Sequence, residues 1–283
     1  VELLSLSLSQ PFSKKDFHSH SIRITEASKS IIGLNLESPN KNIIDFINGI
    51  KLHPFQASKE SAAQYNSRTI SIYQLKEAII ESDSNKVNDI LDNLLQLSDG
   101  KHILEYLVEL SLEQTGSSLL IVWPIYKAIN FIGYRNRESR RNAISGACQC
   151  LIFDKFRFTK KNKGIPLESI PLDSIQTSKQ LHTLGVLHEI NNSDFIRNDL
   201  INKNTTLFLD FFYNQENKLG DEYNNLEEID VTKRINILDA LDRIDLSEVA
   251  VLSLNALRTI SKYSNLSNKD VRRFIDLVPG YEL

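Results

Sequence analysis

The feature that most restricts this chain is the spacing of its apolar residues, which recur every three to four positions along most of its length. ISIYQLKEAIIESD (70–83), NKVNDILDNLLQLS (85–98) and KHILEYLVELSLEQTG (101–116) show it most plainly. Side chains three and four apart share one face of a helix, whereas a half-buried strand would need strict alternation. Each segment is therefore an amphipathic helix that must bury its stripe against a neighbour. Asp83-Ser84 and Ser98-Asp99 offer side-chain oxygens to the orphan N–H groups of a helix start, and Gly116 suits the left-handed position after a helix end. Only a few residues separate the helices, so neighbours fold back on each other as antiparallel hairpins.

The same period continues on both sides. Residues 19–35 carry Ile22, Ala27, Ile31 and Leu34. Pro39-Asn40 opens a second helix with Ile43, Ile44, Phe46, Ile47 and Ile50 as its stripe, stopped by His53-Pro54. The apolar helix 118–132 contains Pro124, which predicts a kink or break there. Residues 138–156 form a helix with Ala143, Gly146, Ala147 and Cys150 on a small-residue face. Further helices are predicted at 177–190, 192–220 and 268–277, and 231–244 with 247–264 as a last hairpin. Only VELLSLSLS at the start alternates, and it reads as an edge strand or extended arm.

The expected fold is all-α, with about ten helices in antiparallel hairpins, as an irregular helical bundle or a short α-solenoid. A basic stretch followed by Gly164, Pro166 and Pro171 sets the organisation: an N-terminal helical region at 1–156, a connecting loop at 157–176 and a C-terminal helical region at 177–283, packed as one domain.

Composition narrows the partners. The 283 residues are enough to bury a sizeable core, and 41% hydrophobic with 24% charged residues is ordinary for a soluble globular protein. A net charge of -3 and a pI near 6.1 give no footprint for nucleic acid. No apolar run reaches the roughly 20 residues that span a bilayer, and VELLSLSLSQPF lacks the basic start and cleavage site of a signal peptide. Cys148 and Cys150 fall on different faces of a helix and make a poor disulfide. Reduced structural thiols and a cytoplasmic location are expected.

Candidate chemistry is sparse. P-loop, dinucleotide-binding, nucleophile-elbow, zincin and EF-hand patterns are all missing from the string. His18 and His20 lie two apart just before a helix. On an extended segment they face one side and chelate a single metal; otherwise they cap the helix or face water. His53 at a helix exit, with His182 or His188 in LHTLGVLHE, completes the set of histidines that a metal-dependent reading brings together on one zinc or iron ion. His102 heads a stripe of Glu105, Glu109 and Glu113 that reads as a solvated face. Trp123, Tyr126, Phe131 and Tyr134 flanking Pro124 read as core, or as the lining of an apolar-ligand cavity, with Trp123 and Tyr126 the cofactor-binding candidates. Arg137, Arg140 and Arg141 form the strongest basic cluster, suited to a phosphate or an acidic partner.

Two functions follow. The first is a non-catalytic helical scaffold that binds a protein or a small apolar ligand, with a homodimer as the expected assembly where apolar helix faces are exposed. The second is a metal-dependent helical oxidoreductase or hydrolase using the histidines.

Overall fold

The computed structural model describes residues 1–12, 20–52, 71–156, 164–170, 172–216, 241–242 and 244–264, with residues 266, 270, 274 and 278. Among these residues the protein is all-α, with eleven α-helices, single-turn 3₁₀ helices and no strand. Two compact units divide the chain: Val1–Glu26 with Ile50–Phe158, and Ala27–Gly49 with Thr159–Leu283. The division falls inside one continuous helix, α2 (Ser21–Ile32).

Unit 1 contains α1 (Glu2–Leu8), the start of α2, α4 (Ile72–Ile80), α5 (Ser84–Leu97), α6 (Lys101–Ser111), α7 (Leu119–Ile132) and α8 (Arg137–Phe153). Its helix starts follow their sequence signals. Ser71 and Gln74 close a capping box on α4, and the Asp83 carboxylate accepts from the Lys86 amide at 3.0 Å to cap α5. Helix α6 packs against both α7 and α8, and every residue from Ile103 to Leu112 is buried. The small face of α8 is buried too, and Gly146 lies where a Cβ would come within 2.5 Å of the Phe12 ring.

Expectations fail at several points in this unit. VELLSLSLS is the helix α1, not a strand. Leu4, Ser7 and Leu8 form its buried stripe, packed on α7 and α8, and Thr25 Oγ1 donates to Ser7 Oγ at 3.1 Å. Alternating leucine and serine over so few residues satisfies both periods, so packing decides between them. Helix α7 runs through Pro124 as one element, without the expected break. Its start is anchored instead at the far end of α8: Asp154 accepts from the Ser118 amide at 2.9 Å and from the Thr115 hydroxyl, while Gln114 Nε2 donates to the Leu151 carbonyl at 2.7 Å.

Unit 2 contains the rest of α2, α3 (Lys41–Asn48), α9 (Ser178–Asn191), α10 (Asn198–Glu216) and α11 (Glu248–Tyr263). Asn40 caps α3 as predicted, but the helix stops at Gly49, ahead of His53-Pro54. Its Ile43 joins Ala27, Ile31, Leu241, Ala250, Val251 and Leu254 in one apolar core. The stretch after Gly164 is packed rather than loose: the Ile165 amide donates to the Thr206 carbonyl at 2.9 Å, and Leu167 and Ile170 are buried.

The main pairing in unit 2 is between helices distant in sequence. His182 meets Ser253, Gly185 faces Ala256, and Glu189 meets Arg258 and Thr259. Partner numbers rise together, so α9 and α11 run parallel. A parallel pair needs a long crossover, here supplied by α10 and the residues after it. Of the hairpin expected at 231–264, the second arm is α11, while the first, 231–244, falls largely outside the described residues. A Cβ on Gly185 would lie 2.8 Å from the Ala256 Cα, so glycine is what permits the backbones to approach this closely.

Candidate functional site

The end of unit 1 where α6 begins, α7 ends and α8 begins brings together more candidate residues than any other described region. Gly133 ends α7 at φ 89°, a left-handed value that favours glycine. The chain then turns at once into α8. Tyr134 donates its hydroxyl back to Asn130 Oδ1 at 2.9 Å, and Asn136 caps α8 by accepting from the Ser139 amide at 2.9 Å. Gly100, the residue before α6, sits against α8: a Cβ there would lie 2.6 Å from Ile144 Cδ1 and 3.4 Å from Arg140 Cδ. Lys101 and His102 are thereby placed beside the start of α8, and both are exposed.

The predicted basic cluster separates into two kinds of residue. Arg141 is engaged, with its Nε and Nη2 donating to the two oxygens of Asp92 at 2.8 and 3.1 Å. Arg135, Arg137 and Arg140 make no ion pair among the described residues. Arg135 and Arg137 are exposed, whereas Arg140 is half-buried with its Nε enclosed. Phe131 projects from the last turn of α7 and is 57% exposed, although α7 from Leu119 to Tyr126 is buried throughout.

Behind this corner lies a polar interior. Trp123 and Tyr126 are both buried, with their rings stacked on each other at 5.3 Å. Burial raises the Tyr126 hydroxyl above its usual range; its bond with Asn130 opposes the shift and the Glu105 charge adds to it. Tyr134 is raised further, first by burial and then by Tyr126, Glu105 and Asp99. The expected solvated stripe on α6 is therefore corrected. Glu105 is 8% and Glu109 4% exposed, because helices pack on both sides of α6; only His102 and Glu113 keep the predicted character, Glu113 pairing with Lys76 at 2.7 Å. Lys127 of α7 pairs at 3.0 Å with Glu26 of α2, whose side chain is 3% exposed. One turn before Glu26, Arg23 is buried, and desolvation lowers its pKa to about 10, so it remains a cation at neutral pH.

The histidines occupy separate settings. His20 Nδ1 accepts from the Ile22 amide at 3.2 Å and its ring stacks on Phe12 with centroids 4.0 Å apart, which is how it starts α2. His18 and His53 lie outside the described residues. In unit 2, His182 Nε2 bonds Ser253 Oγ at 2.9 Å and His188 Nε2 bonds Ser264 Oγ at 3.3 Å. Six helical positions separate these two rings, a rise of about 9 Å. Among the described residues no group of three or more histidine, cysteine, aspartate or glutamate side chains is placed to hold a metal ion. Both thiols are free and buried, and burial raises each well above the ordinary cysteine range, so they stay protonated.

Sequence reasoning found Arg137, Arg140 and Arg141 but not the split between them, because Asp92 is distant in sequence. It grouped Phe131 with Trp123 and Tyr126 as core or cavity lining, whereas the Phe131 side chain is 57% exposed. Compared with known proteins, the chain matches no family model, no curated protein and no solved structure. No helix among the described residues is long and apolar enough to cross a membrane.

Proposed function

We propose that this is a helical binding protein whose recognition surface is the corner formed by the start of α6, the end of α7 and the start of α8. The observation that carries this reading is the pair Arg135 and Arg137, both exposed and without an ion pair among the described residues, close in sequence to Phe131, which is 57% exposed. Exposed aromatic and arginine side chains on a rigid frame are the groups that most often dominate protein interfaces. The Tyr134–Asn130 bond and the Arg141–Asp92 pair hold the corner, so little order has to be gained on binding.

The test is capture of partners on immobilised protein, compared with Phe131→Ser and Arg137→Glu by quantitative mass spectrometry. The reading expects a defined set of proteins retained by the original chain and lost from both variants. A set unchanged by both substitutions rules the corner out. The metal-dependent alternative keeps its own test, metal content of the purified protein. One equivalent of zinc or iron lost in His18→Ala or His53→Ala would favour it.

A further inference from the structure

We propose that Ser264 and His188 form a nucleophile–base pair that takes the acyl group of a carboxylic ester, at a site in unit 2 that owes nothing to the corner in unit 1. Ser264 is the first residue after α11 and His188 stands in the last turn of α9, with Ser264 Oγ 3.3 Å from His188 Nε2. Because α9 and α11 run parallel, their C-terminal ends arrive together, and the carbonyls at the end of α9 favour a cation on His188.

A serine near a helix end ordinarily donates to a carbonyl three or four residues back, as Ser98, Ser111 and Ser193 do. Ser264 leaves α11 in an extended conformation, φ -128° and ψ 146°, and its hydroxyl meets an imidazole. His188 is buried and Ser264 half-buried, so the base is shielded while the hydroxyl is reachable. The Asn192 amide and side chain both donate to the His188 carbonyl, at 3.2 and 2.8 Å, which holds the turn that carries the ring. Burial lowers the His188 pKa, so the ring is neutral at neutral pH and able to take a proton; the Glu168 charge opposes that shift and favours the imidazolium once it forms. The other histidine–serine bond of the seam supplies the contrast. Ser253, bonded to His182 at 2.9 Å, is fully buried, and no ester reaches it.

With the ring proton on Nδ1, His188 Nε2 accepts the Ser264 hydroxyl proton as Oγ bonds to the ester carbonyl carbon. The bond from that carbon to the alcohol oxygen breaks, and the alcohol leaves with the proton. Water then attacks the acyl carbon and gives a proton to Nε2. The acid departs, and the proton returns to Ser264 Oγ.

The experiment treats the full chain with an alkyl fluorophosphonate, which bonds its phosphorus to an activated serine oxygen and releases fluoride. Peptide mass spectrometry maps the adduct, and hydrolysis of p-nitrophenyl acetate is followed alongside. Expected are an adduct at Ser264 that no longer forms in urea, labelling slower by roughly 100-fold in His188→Gln, and loss of ester turnover in Ser264→Ala. Circular dichroism checks that both variants are folded. Labelling of the unaltered chain, native against urea-unfolded, needs no variant and stays decisive if His188→Gln does not fold. No adduct at Ser264 under excess reagent, an adduct that forms as fast in urea or in folded His188→Gln, or turnover that survives Ser264→Ala would overturn the proposal.

Discussion

The interiors of the two units handle polarity in opposite ways. Unit 1 buries full charges: Glu26 pairs with Lys127 at 3.0 Å, and Arg23, Glu105 and Glu109 are also enclosed. Along the seam of α9 and α11, unit 2 buries neutral groups, with His182 on Ser253 and His188 on Ser264, and confines its ion pair, Glu189 with Arg258 at 2.9 Å, to a half-buried position. A buried ion pair adds little net stability, yet removing one partner leaves a charge that no solvent can reach. A neutral bond to a hydroxyl is weaker but cheap to break. Unit 1 should therefore be the more fragile to single substitutions of polar core residues, and unit 2 the more sensitive to backbone approach and to pH.

The largest expected effect is in unit 1. Lys127→Ala removes the ion-pair partner at 3.0 Å from the buried Glu26 carboxylate and should cost up to about 3–5 kcal/mol in urea unfolding. Adding Glu26→Gln should recover much of that loss. Recovery of nothing would mean that the pair is incidental.

Next comes the helix contact of unit 2. Gly185→Ala gains up to about 1 kcal/mol of helix propensity, but its methyl would meet Ala256 backbone at 2.8 Å. Overpacking of this kind costs about 1–3 kcal/mol, so a net loss is expected, larger for Gly185→Val. Gly146→Ala is the matched control in unit 1. It meets the Phe12 ring, a side chain that can turn aside, and should cost less. Equal losses at the two glycines would break the contrast.

The pH effect is smaller. Burial lowers the pKa of His188, with Glu168 opposing the shift. The unfolded chain thus binds a proton before the folded one does. Stability is untouched above the ordinary histidine value and declines as pH falls from there towards the lowered folded value. His188→Gln should flatten that decline in thermal midpoints taken from neutral to mildly acidic pH. An unchanged slope would place the acid sensitivity elsewhere. Smallest of all, Arg137→Glu on the surface should move stability by no more than about 0.5 kcal/mol, which separates its effect on binding from any effect on folding.

Much of the fold was legible. The helices α4, α5, α6, α9 and α11 fall where the apolar period puts them, and Asp83 caps α5 as its position predicts, because a cap acts on amides two or three residues away. Of the candidate site, the arginine cluster was readable as a local run of charge. Its useful subset was not, since Arg141 is engaged by a residue 49 positions away.

By itself, then, the sequence determined that this chain is helical, where most helices begin, and which stripes they bury, since these depend on neighbours within a turn or two. Tertiary structure alone decided that VELLSLSLS is a helix, that Glu105 and Glu109 are enclosed, that α9 and α11 run parallel through Gly185, and that Arg141 is engaged by Asp92. Each of these depends on which surfaces far apart in the chain meet, and a pattern of spacing says which face of a helix is apolar without saying what will cover the other.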